Sequence, residues 1–177
     1  MNATPYLSSE DSTLLRKAIR GLSGRACLEI GAGNGGNLVA VSRDFQLAVG
    51  TDLVGPGMDD WSQAGANFLL SDLASCFRDE TFDMVMFNPP YLSSEEIEDP
   101  AVDAGREGEV TLAFLREALR VVRGSGVVLM ILSQGNPLES VRTECERRGF
   151  KLTRIESVRL FFEELTVYRA CRAAGPD

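Results

Sequence analysis

The chain has 177 residues, of which 44% are hydrophobic and 25% are charged, and these values are typical of a soluble globular domain. It contains no histidine, which excludes a Ser-His-Asp triad formed by this chain, and no metal site is predicted. The formal net charge of −8 disfavours nucleic acid as a direct substrate, because phosphate contacts need basic residues.

The sequence also gives expectations for location and domain organisation. No apolar run reaches the length of a membrane span, and the amino-terminal residues lack the basic and apolar regions of a secretory signal. We therefore expect a cytoplasmic protein. One domain is expected over residues 1–172, followed by a flexible tail over residues 173–177.

Cysteines and basic residues receive structural interpretations. The four cysteines are far apart and are interpreted as small buried hydrophobic residues in a reducing compartment. They are Cys27, Cys76, Cys145 and Cys171. A basic cluster late in the chain is interpreted as a solvated helix face and the loop after it. It consists of Arg142, Arg147, Arg148, Lys151 and Arg154.

Hydrophobic periodicity predicts helices and strands that alternate along most of the chain. Residues 10–20 have apolar side chains at helical spacing, and Gly21 is expected to end this helix. Strands are then predicted over residues 25–30, 47–52, 67–70, 82–87, 127–132, 152–158 and 164–170. Further helices are predicted over residues 37–43, 58–64, 107–123 and 137–148, and Gly124 is expected to end the third of these.

This order of elements predicts the fold class. Alternating strands and helices indicate an open, mostly parallel sheet with helices on both faces. The last two strands have no helix between them, which indicates an antiparallel hairpin at the end of the sheet. We therefore predict an α/β fold, a three-layer α/β/α sandwich around seven strands.

A glycine-rich loop follows the first predicted strand. Its sequence is Glu29-Ile30-Gly31-Ala32-Gly33-Asn34-Gly35-Gly36. Glycines let a backbone turn tightly and approach a ligand where a Cβ atom would collide. The spacing Gly-x-Gly-x-Gly differs from the dinucleotide fingerprint, although Gly36 also supplies the longer spacing. The loop therefore predicts a cofactor site that includes Gly31 and Gly33, and it leaves a dehydrogenase open.

Acidic residues lie at the ends of the first three predicted strands, where such sheets bind ligands. Asp52 can accept hydrogen bonds from both hydroxyls of a ribose, and Asp72 can meet an adenine amino group. Glu29 can approach a cationic methionine group, directly or through water. Each acid alone is also typical of a strand end or a turn. Together they favour S-adenosylmethionine as the cofactor.

Asn88-Pro89-Pro90-Tyr91 follows the fourth predicted strand. The nitrogen of a glutamine amide or an adenine amine is a poor nucleophile, because its lone pair is delocalised. The Asn88 side-chain oxygen and the Pro89 carbonyl can accept its two N–H groups and aim it at a methyl donor, while Tyr91 stacks on the flat group. Catalysis then comes from positioning and preorganised dipoles. The alternative interpretation is that these four residues only form a turn after the strand.

The cofactor motifs resemble those of class I S-adenosylmethionine-dependent methyltransferases, whose fold is Rossmann-like. These motifs are Cys27-Leu28-Glu29-Ile30-Gly31-Ala32-Gly33-Asn34-Gly35, Thr51-Asp52 and Ser71-Asp72-Leu73. Over nearly its whole length the chain is similar to the HemK-like N5-glutamine methyltransferases, specifically the short archaeal and eukaryotic class that modifies a release factor. Further matching stretches are Ser9-Glu10-Asp11-Ser12-Thr13-Leu14-Leu15, Phe87-Asn88-Pro89-Pro90-Tyr91, Ala104-Gly105-Arg106-Glu107-Gly108, Gln134-Gly135-Asn136-Pro137 and Glu163-Glu164-Leu165-Thr166-Val167.

The resemblance implies a reaction, a set of site residues and a partner. The reaction is N5-methylation of the glutamine in the Gly-Gly-Gln loop of a class 1 translation termination factor. Cofactor contacts are implied for Ser12 (in place of a threonine), Glu29, Gly31, Asp52, Asp72, Leu73 and Asn88. The implied partner is a small zinc-binding activator protein, which forms a heterodimer through the sheet edge near residues 67–70.

Three other functions remain open on the sequence. A nucleic-acid adenine N6-methyltransferase uses the same amine clamp, but the acidic charge and the absence of a target-recognition domain disfavour it. A non-catalytic subunit that keeps the fold is disfavoured by the intact Asn88 and the three acids. A dehydrogenase would bind a nicotinamide dinucleotide.

Overall fold

The structure is a computed structural model that describes residues 10–55, 65–90, 108–161 and 163–173, and the side chains from residue 13 onward within them. Its helices are α1 (Glu10–Ile19), α2 (Gly36–Val41), α3 (Glu109–Val121) and α4 (Leu138–Arg147). No helix within the described ranges is both long and apolar enough to cross a bilayer. The helix predicted over residues 58–64 lies outside the described residues.

Seven strands form one sheet, as predicted. They are β1 (Gly24–Ile30), β2 (Phe45–Asp52), β3 (Ala66–Leu70), β4 (Phe82–Phe87), β5 (Val122–Leu132), β6 (Phe150–Arg159) and β7 (Glu164–Arg172). The strand order is β3-β2-β1-β4-β5-β7-β6. Strands β1 to β5 pair in parallel, whereas β7 pairs antiparallel with both β5 and β6. The predicted hairpin at the end of the chain is therefore confirmed.

Helices cover both faces of this sheet and give the predicted three layers. On one face, Leu15 of α1 and Leu38 of α2 pack on Met84 and Leu129 of the central strands. On the other face, Leu115 of α3 and Val141 of α4 pack on a second set of apolar side chains, which includes Leu28, Ile30, Val85 and Val128. Strands β1, β4 and β5 are buried on both faces, which explains why they read as continuous apolar runs.

The prediction that Gly124 ends the helix before β5 is wrong. Helix α3 ends at Val121, and β5 begins at Val122 without a loop. Both valines are fully buried. The Thr81 N–H donates to the Val121 carbonyl at 2.7 Å, so a neighbouring turn takes over a carbonyl that the helix leaves without a partner. Burial of two β-branched residues thus overrides the glycine as a helix stop.

The cysteine interpretation holds in part. Cys27 and Cys145 are buried, and burial raises the pKa of the Cys27 thiol to about 12 and that of the Cys145 thiol to about 11. The interpretation is wrong for Cys76, which is exposed in the turns after β3, and Cys171 is half-buried. Ala74 in the same turns is buried, and the sequence pattern did not reveal which of these side chains faces the core.

Three of the five residues of the late basic cluster pair with acidic residues. Arg147 and Arg148 each donate to Glu144 at 2.8 Å, and Arg154 donates to Glu164 at 2.5 Å. Hydrogen bonds from Arg147 lower the pKa of the Glu144 carboxyl, against the opposing effect of burial. Arg147 and Arg148 thus share one carboxylate, and Arg154 pairs with another.

A partly buried carboxylate joins the starts of β1, β4 and β5. Asp83 accepts hydrogen bonds from the backbone N–H groups of Arg25 and Ala26 at 2.7 and 2.8 Å, and from Arg123 at 2.5 Å. Burial opposes ionisation of this group, but the two N–H groups and the guanidinium outweigh it and lower the pKa of the Asp83 carboxyl.

We expect Asp83→Asn to lower the free energy of unfolding by about 1–3 kcal/mol at pH 7, because the amide leaves a partly buried guanidinium without a counter-charge. A lowered carboxyl pKa contributes stability above its ordinary value of 3.8, and this contribution is lost as the pH falls through the folded-state value. The difference in free energy of unfolding between the wild type and the variant should therefore become smaller at low pH. Urea unfolding at several pH values measures it.

Asp79→Asn is the matched control for Asp83→Asn. Asp79 also pairs with an arginine, Arg120, at 2.8 Å, but its side chain is 73% exposed. Exposed ion pairs contribute little, so we expect a change below about 1 kcal/mol. Equal effects of the two substitutions would contradict the role given to Asp83.

Candidate active site

The predicted cofactor and amine-binding residues meet at one edge of the sheet. Ile30 is paired with Phe87 of β4 and with Thr51 of β2. Gly31 therefore lies between Asn88 and Asp52, on adjoining strands that are about 5 Å apart. Because Asp52 is in turn paired with Leu70, Asp72 lies just beyond the next strand end.

Backbone hydrogen bonds fix the start of the glycine loop. The N–H groups of Gly31 and Ala32 both donate to the Thr51 carbonyl, at 2.8 and 2.9 Å. Gly31 has a φ of +69°, and a Cβ atom added there would lie 2.9 Å from the Phe114 ring. Glycine is therefore required at this position on both conformational and steric grounds.

Asp52 connects the second strand end to this loop. Its Oδ2 atom accepts from the Gly33 N–H at 2.9 Å, and its Oδ1 atom accepts from the Val54 N–H at 3.3 Å. An ionised carboxylate has about four lone-pair positions, so both oxygens keep acceptor capacity. Asp52 is half-buried, which leaves this capacity accessible. Its predicted bonds to the ribose hydroxyls fit this arrangement.

Glu29 lies beneath the glycine loop and is only 2% exposed. Its Oε1 atom accepts from the Asn37 side-chain amide at 3.0 Å, and its Oε2 atom accepts from the Leu38 N–H at 3.1 Å. Both partners belong to α2. Glu29 therefore holds the start of α2 against β1. Its predicted approach to the cofactor remains a prediction.

Burial raises the pKa of the Glu29 carboxyl to about 7, and the nearby Asp52 adds to this effect. The hydrogen bonds from Asn37 and Leu38 and the charge of Arg16 act in the opposite direction but only partly offset it. A cationic ligand above the loop favours the ionised form of such a carboxylate. Glu29 thus suits a site for a positively charged group.

Asp72 and Leu73 follow β3 in a tight turn. The Ser75 N–H donates to the Asp72 carbonyl at 3.1 Å, and Leu73 has a φ of 48°, in the left-handed region. Asp72 is exposed at the open edge, whereas Leu73 packs partly against the core. This turn leaves the Asp72 carboxylate available to a ligand, as its predicted contact with an adenine requires.

The amine-binding motif continues directly from the central strand β4. Phe87 is fully buried, Asn88 and Pro90 are half-buried, and Pro89 is buried. Asn88 thus emerges from the core at the strand end next to Gly31. Tyr91 lies outside the described residues, and so does the side chain of Ser12, so the roles predicted for both remain predictions.

Two residues that sequence reasoning missed support the loop. Asn37 binds Glu29, and Arg16 of α1 donates to the Gly36 carbonyl at 2.9 Å. These pairs are 8 and 20 residues apart in the chain. No helical or strand periodicity relates them, so the sequence carried no indication of either contact.

A buried polar network borders the same edge of the sheet. The Asn136 side-chain amide donates to the Thr111 hydroxyl at 3.0 Å, and its oxygen accepts from the Ser133 N–H at 2.7 Å. Asn136 is 7% exposed and Thr111 is fully buried. The network ties the loop after β5 to the first turn of α3, beside the end of β4.

We expect Glu29→Gln to flatten the dependence of stability on pH. The raised carboxyl pKa stabilises the fold fully below its ordinary value of 4.5, and this contribution is lost as the pH rises through about 7. At pH 8 the glutamine variant should be more stable than the wild type by about 1–3 kcal/mol, because it buries no charge. Its amide can also bind the Asn37 oxygen, which has no hydrogen-bond partner. Thermal unfolding from pH 5 to pH 8 measures this.

Glu146→Gln provides the control, since Glu146 is an exposed glutamate of α4. It should leave the pH dependence of stability as in the wild type. A steep loss of stability in Glu29→Gln at pH 8 would contradict the assignment of a costly buried charge to Glu29.

A curated relative matches almost the whole chain. It is named putative protein N5-glutamine methyltransferase, from Methanocaldococcus jannaschii, and it is 29% identical over 183 residues. The match covers 94% of this chain and 91% of the relative. No protein-family model matches the chain. The predicted resemblance to N5-glutamine methyltransferases is thereby confirmed.

Solved methyltransferase structures share the fold. The E. cuniculi Mtq2-Trm112 complex, responsible for methylating the eRF1 termination factor, matches with a TM-score of 0.77 and 24% identity, over 95% of this chain and 98% of that one. The T. thermophilus 16S rRNA methyltransferase RsmC, in complex with AdoMet and guanosine, matches with a TM-score of 0.70 and 20% identity, over 96% of this chain and 45% of that one. The chain therefore has the class I methyltransferase fold.

Proposed function

We propose that this chain transfers the methyl group of S-adenosylmethionine to the side-chain amide nitrogen of a glutamine, in the Gly-Gly-Gln loop of a class 1 translation termination factor. The observation that carries the proposal is the position of Asn88 beside Gly31, fixed by the pairing of Phe87 with Ile30. That pairing brings an amide-binding motif to the edge of a cofactor loop.

The residues that would hold the cofactor are arranged across three strand ends. Asp72 would meet the adenine, Asp52 the ribose, and the loop from Gly31 to Gly33 would lie along the methionine end, with Glu29 beneath it. Both Asp52 oxygens retain free lone pairs for this role. Bound there, the cofactor supplies an electrophilic methyl group.

Asn88 and Pro89 would orient the acceptor. The Asn88 side-chain oxygen and the Pro89 carbonyl would accept the two N–H groups of the glutamine amide and direct its nitrogen to the methyl carbon. In the transfer, a new N–C bond would form as the S–C bond broke, and one N–H proton would then leave to water. The chain provides position and fixed dipoles, so no general base is needed.

Charge and the named relative support glutamine over adenine. The chain has a net charge of −8, and three residues of its basic cluster pair with Glu144 or Glu164. The M. jannaschii relative is named for N5-glutamine methylation, and the Mtq2-Trm112 complex methylates eRF1. Nucleic-acid adenine methylation is the second candidate, because its flat amine suits the same clamp.

Mass spectrometry of a termination factor tests the substrate. The chain, with its activator, is incubated with S-adenosylmethionine and either the Gly-Gly-Gln factor or a Gly-Gly-Glu version, with duplex DNA and structured RNA as alternative acceptors. We expect one added methyl group on the glutamine and none on the glutamate version. A methyl group found only on nucleic acid would overturn the proposal.

We also propose that a small activator protein binds along β3. This strand is at the edge of the sheet, and apolar side chains around its end are exposed. They are Leu53 (66%), Val54 (74%), Leu69 (44%) and Leu70 (69%). An open apolar edge is prone to aggregation, and a strand from a partner would cover it. The similar Mtq2 was solved as a complex with Trm112.

We expect Leu70→Glu to weaken retention of the activator at least tenfold in co-purification, because a buried charge at the interface is costly. The control is Ile155→Glu, which changes a 41% exposed residue on β6, the opposite edge strand. That variant should retain the activator. Equal retention by both variants would place the partner elsewhere.

We expect Asn88→Ala to lower kcat by about 10²–10³-fold while cofactor affinity changes little, because the lost oxygen acts on the acceptor amide. Asp52→Ala is the contrasting variant, and it should chiefly weaken cofactor affinity. Calorimetry with S-adenosylhomocysteine and steady-state kinetics separate the two effects. Unchanged turnover in Asn88→Ala would contradict the clamp.

We further propose a cytoplasmic location and a single domain over residues 1–172. The location is supported by the proposed substrate, since translation termination factors act in the cytoplasm. The domain is supported by the one sheet that runs from β1 to β7 and ends at Arg172.

A further inference from the structure

A cavity of about 590 Å³ lies at the end of the sheet opposite the candidate active site. It is lined by residues from the starts of β1, β4 and β5 and by the end of β7. Parallel strands start at this end and finish at the other, so the cavity is remote from Gly31 and Asn88. Nothing in the proposed function uses it.

Two arginines stand on opposite walls of this cavity. Arg25 comes from β1 and Arg169 from β7, and both are exposed. Strands β4 and β5 lie between them in the sheet, and the register places Arg169 level with Glu29, four residues beyond Arg25 along β1, so their backbones are roughly 20 Å apart. Guanidinium groups facing one cavity from two sides are suited to an anionic ligand that spans it.

The acid in the described lining of the cavity is already engaged. Asp83 lines it, but its carboxylate binds Arg123 and the Arg25 and Ala26 N–H groups. Among the described residues, no carboxylate lies within ion-pair distance of the Arg25 or Arg169 guanidinium, and the Arg169 Nε atom donates to the Cys171 thiol at 3.2 Å. The cavity is therefore locally basic in a chain of net charge −8.

A third arginine at the cavity has other partners. Arg172 lies 3.3 Å from Glu80 and 5.0 Å from the centre of the Phe150 ring. It forms part of the lining but has both a counter-charge and an aromatic contact. The two arginines on opposite walls are thus the groups left to bind a ligand.

Apolar side chains form the floor between these walls. The cavity is lined by Phe45 of β2, Met84 of β4 and Val127 of β5, and all three belong to the core on the α1 face. An apolar floor favours a flat ring, whereas the guanidinium groups favour phosphate. We propose that this cavity is a second ligand site, which binds a small organic phosphate with a planar ring, the composition of a nucleotide.

Uridine diphosphate, titrated by calorimetry, tests the proposal. The full chain with its activator is first saturated with S-adenosylhomocysteine, so that the candidate cofactor site is occupied, and the probe carries no adenine. Inorganic pyrophosphate and uridine are titrated in parallel. We expect one bound uridine diphosphate per chain and weaker binding of each of the two fragments.

The variants are Arg25→Gln and Arg169→Gln, with Arg43→Gln as a control. Arg43 is exposed after α2 and does not line the cavity. Loss of either charge-assisted contact should weaken the binding of uridine diphosphate by roughly tenfold. The control substitution should leave this affinity unchanged. All three arginines are exposed, so thermal unfolding should change little in each variant.

Cys171 provides a second measurement, since its thiol lines the cavity, whereas the exposed Cys76 does not. Uridine diphosphate should slow alkylation of Cys171 and leave Cys76 unaffected. Absence of binding at millimolar concentrations, or wild-type affinity in both cavity variants, would overturn the proposal. Equal affinity for pyrophosphate would overturn the nucleotide assignment and indicate a site for inorganic anions. The site does not rest on the proposed methyl transfer, so either can fail alone.

Discussion

Parallel pairing of β1 with β2 and β4 is the interaction on which the rest of the structure depends. It fixes Ile30 opposite both Thr51 and Phe87, so the next residues along each strand emerge at one edge. The Thr51 carbonyl then accepts the first two N–H groups of the glycine loop, at 2.8 and 2.9 Å. A one-residue change in register would turn the side chains to the opposite faces and separate the acid, the loop and the amide.

Charge at this edge is divided between a buried and an accessible carboxylate. Glu29 is enclosed by α2 and has a raised pKa of about 7, whereas Asp52 is half-buried with free acceptor positions. The Glu29 carboxylate holds the loop in place and contributes to the electrostatic field beneath it. The Asp52 carboxylate is available for hydrogen bonds to a ligand. Both side chains face the same side of the sheet, because Glu29 is in register with Gly50, two residues before Asp52. Glu29 differs in lying within β1, where α2 covers it, whereas Asp52 is the last residue of β2.

Much of the fold could be predicted from the sequence, because its patterns are local. The seven strands and the hairpin follow from apolar runs, glycines and prolines, whereas the edge position of β3 was implied by the family resemblance. The end of α3 could not be predicted, because burial of Val121 and Val122 outweighs Gly124. The site residues at strand ends were also predictable in position, since a parallel sheet brings such ends together. Asn37 and Arg16 were not, because their contacts depend on how helices pack.

The most direct test of the account is a crystal structure of the chain with S-adenosylhomocysteine and a Gly-Gly-Gln peptide. The account predicts the ribose at Asp52, the adenine near Asp72, and the sulfur facing a glutamine amide held by Asn88 and Pro89. A cofactor product bound away from the ends of β1 and β2, or a glutamine that does not reach the end of β4, would contradict it.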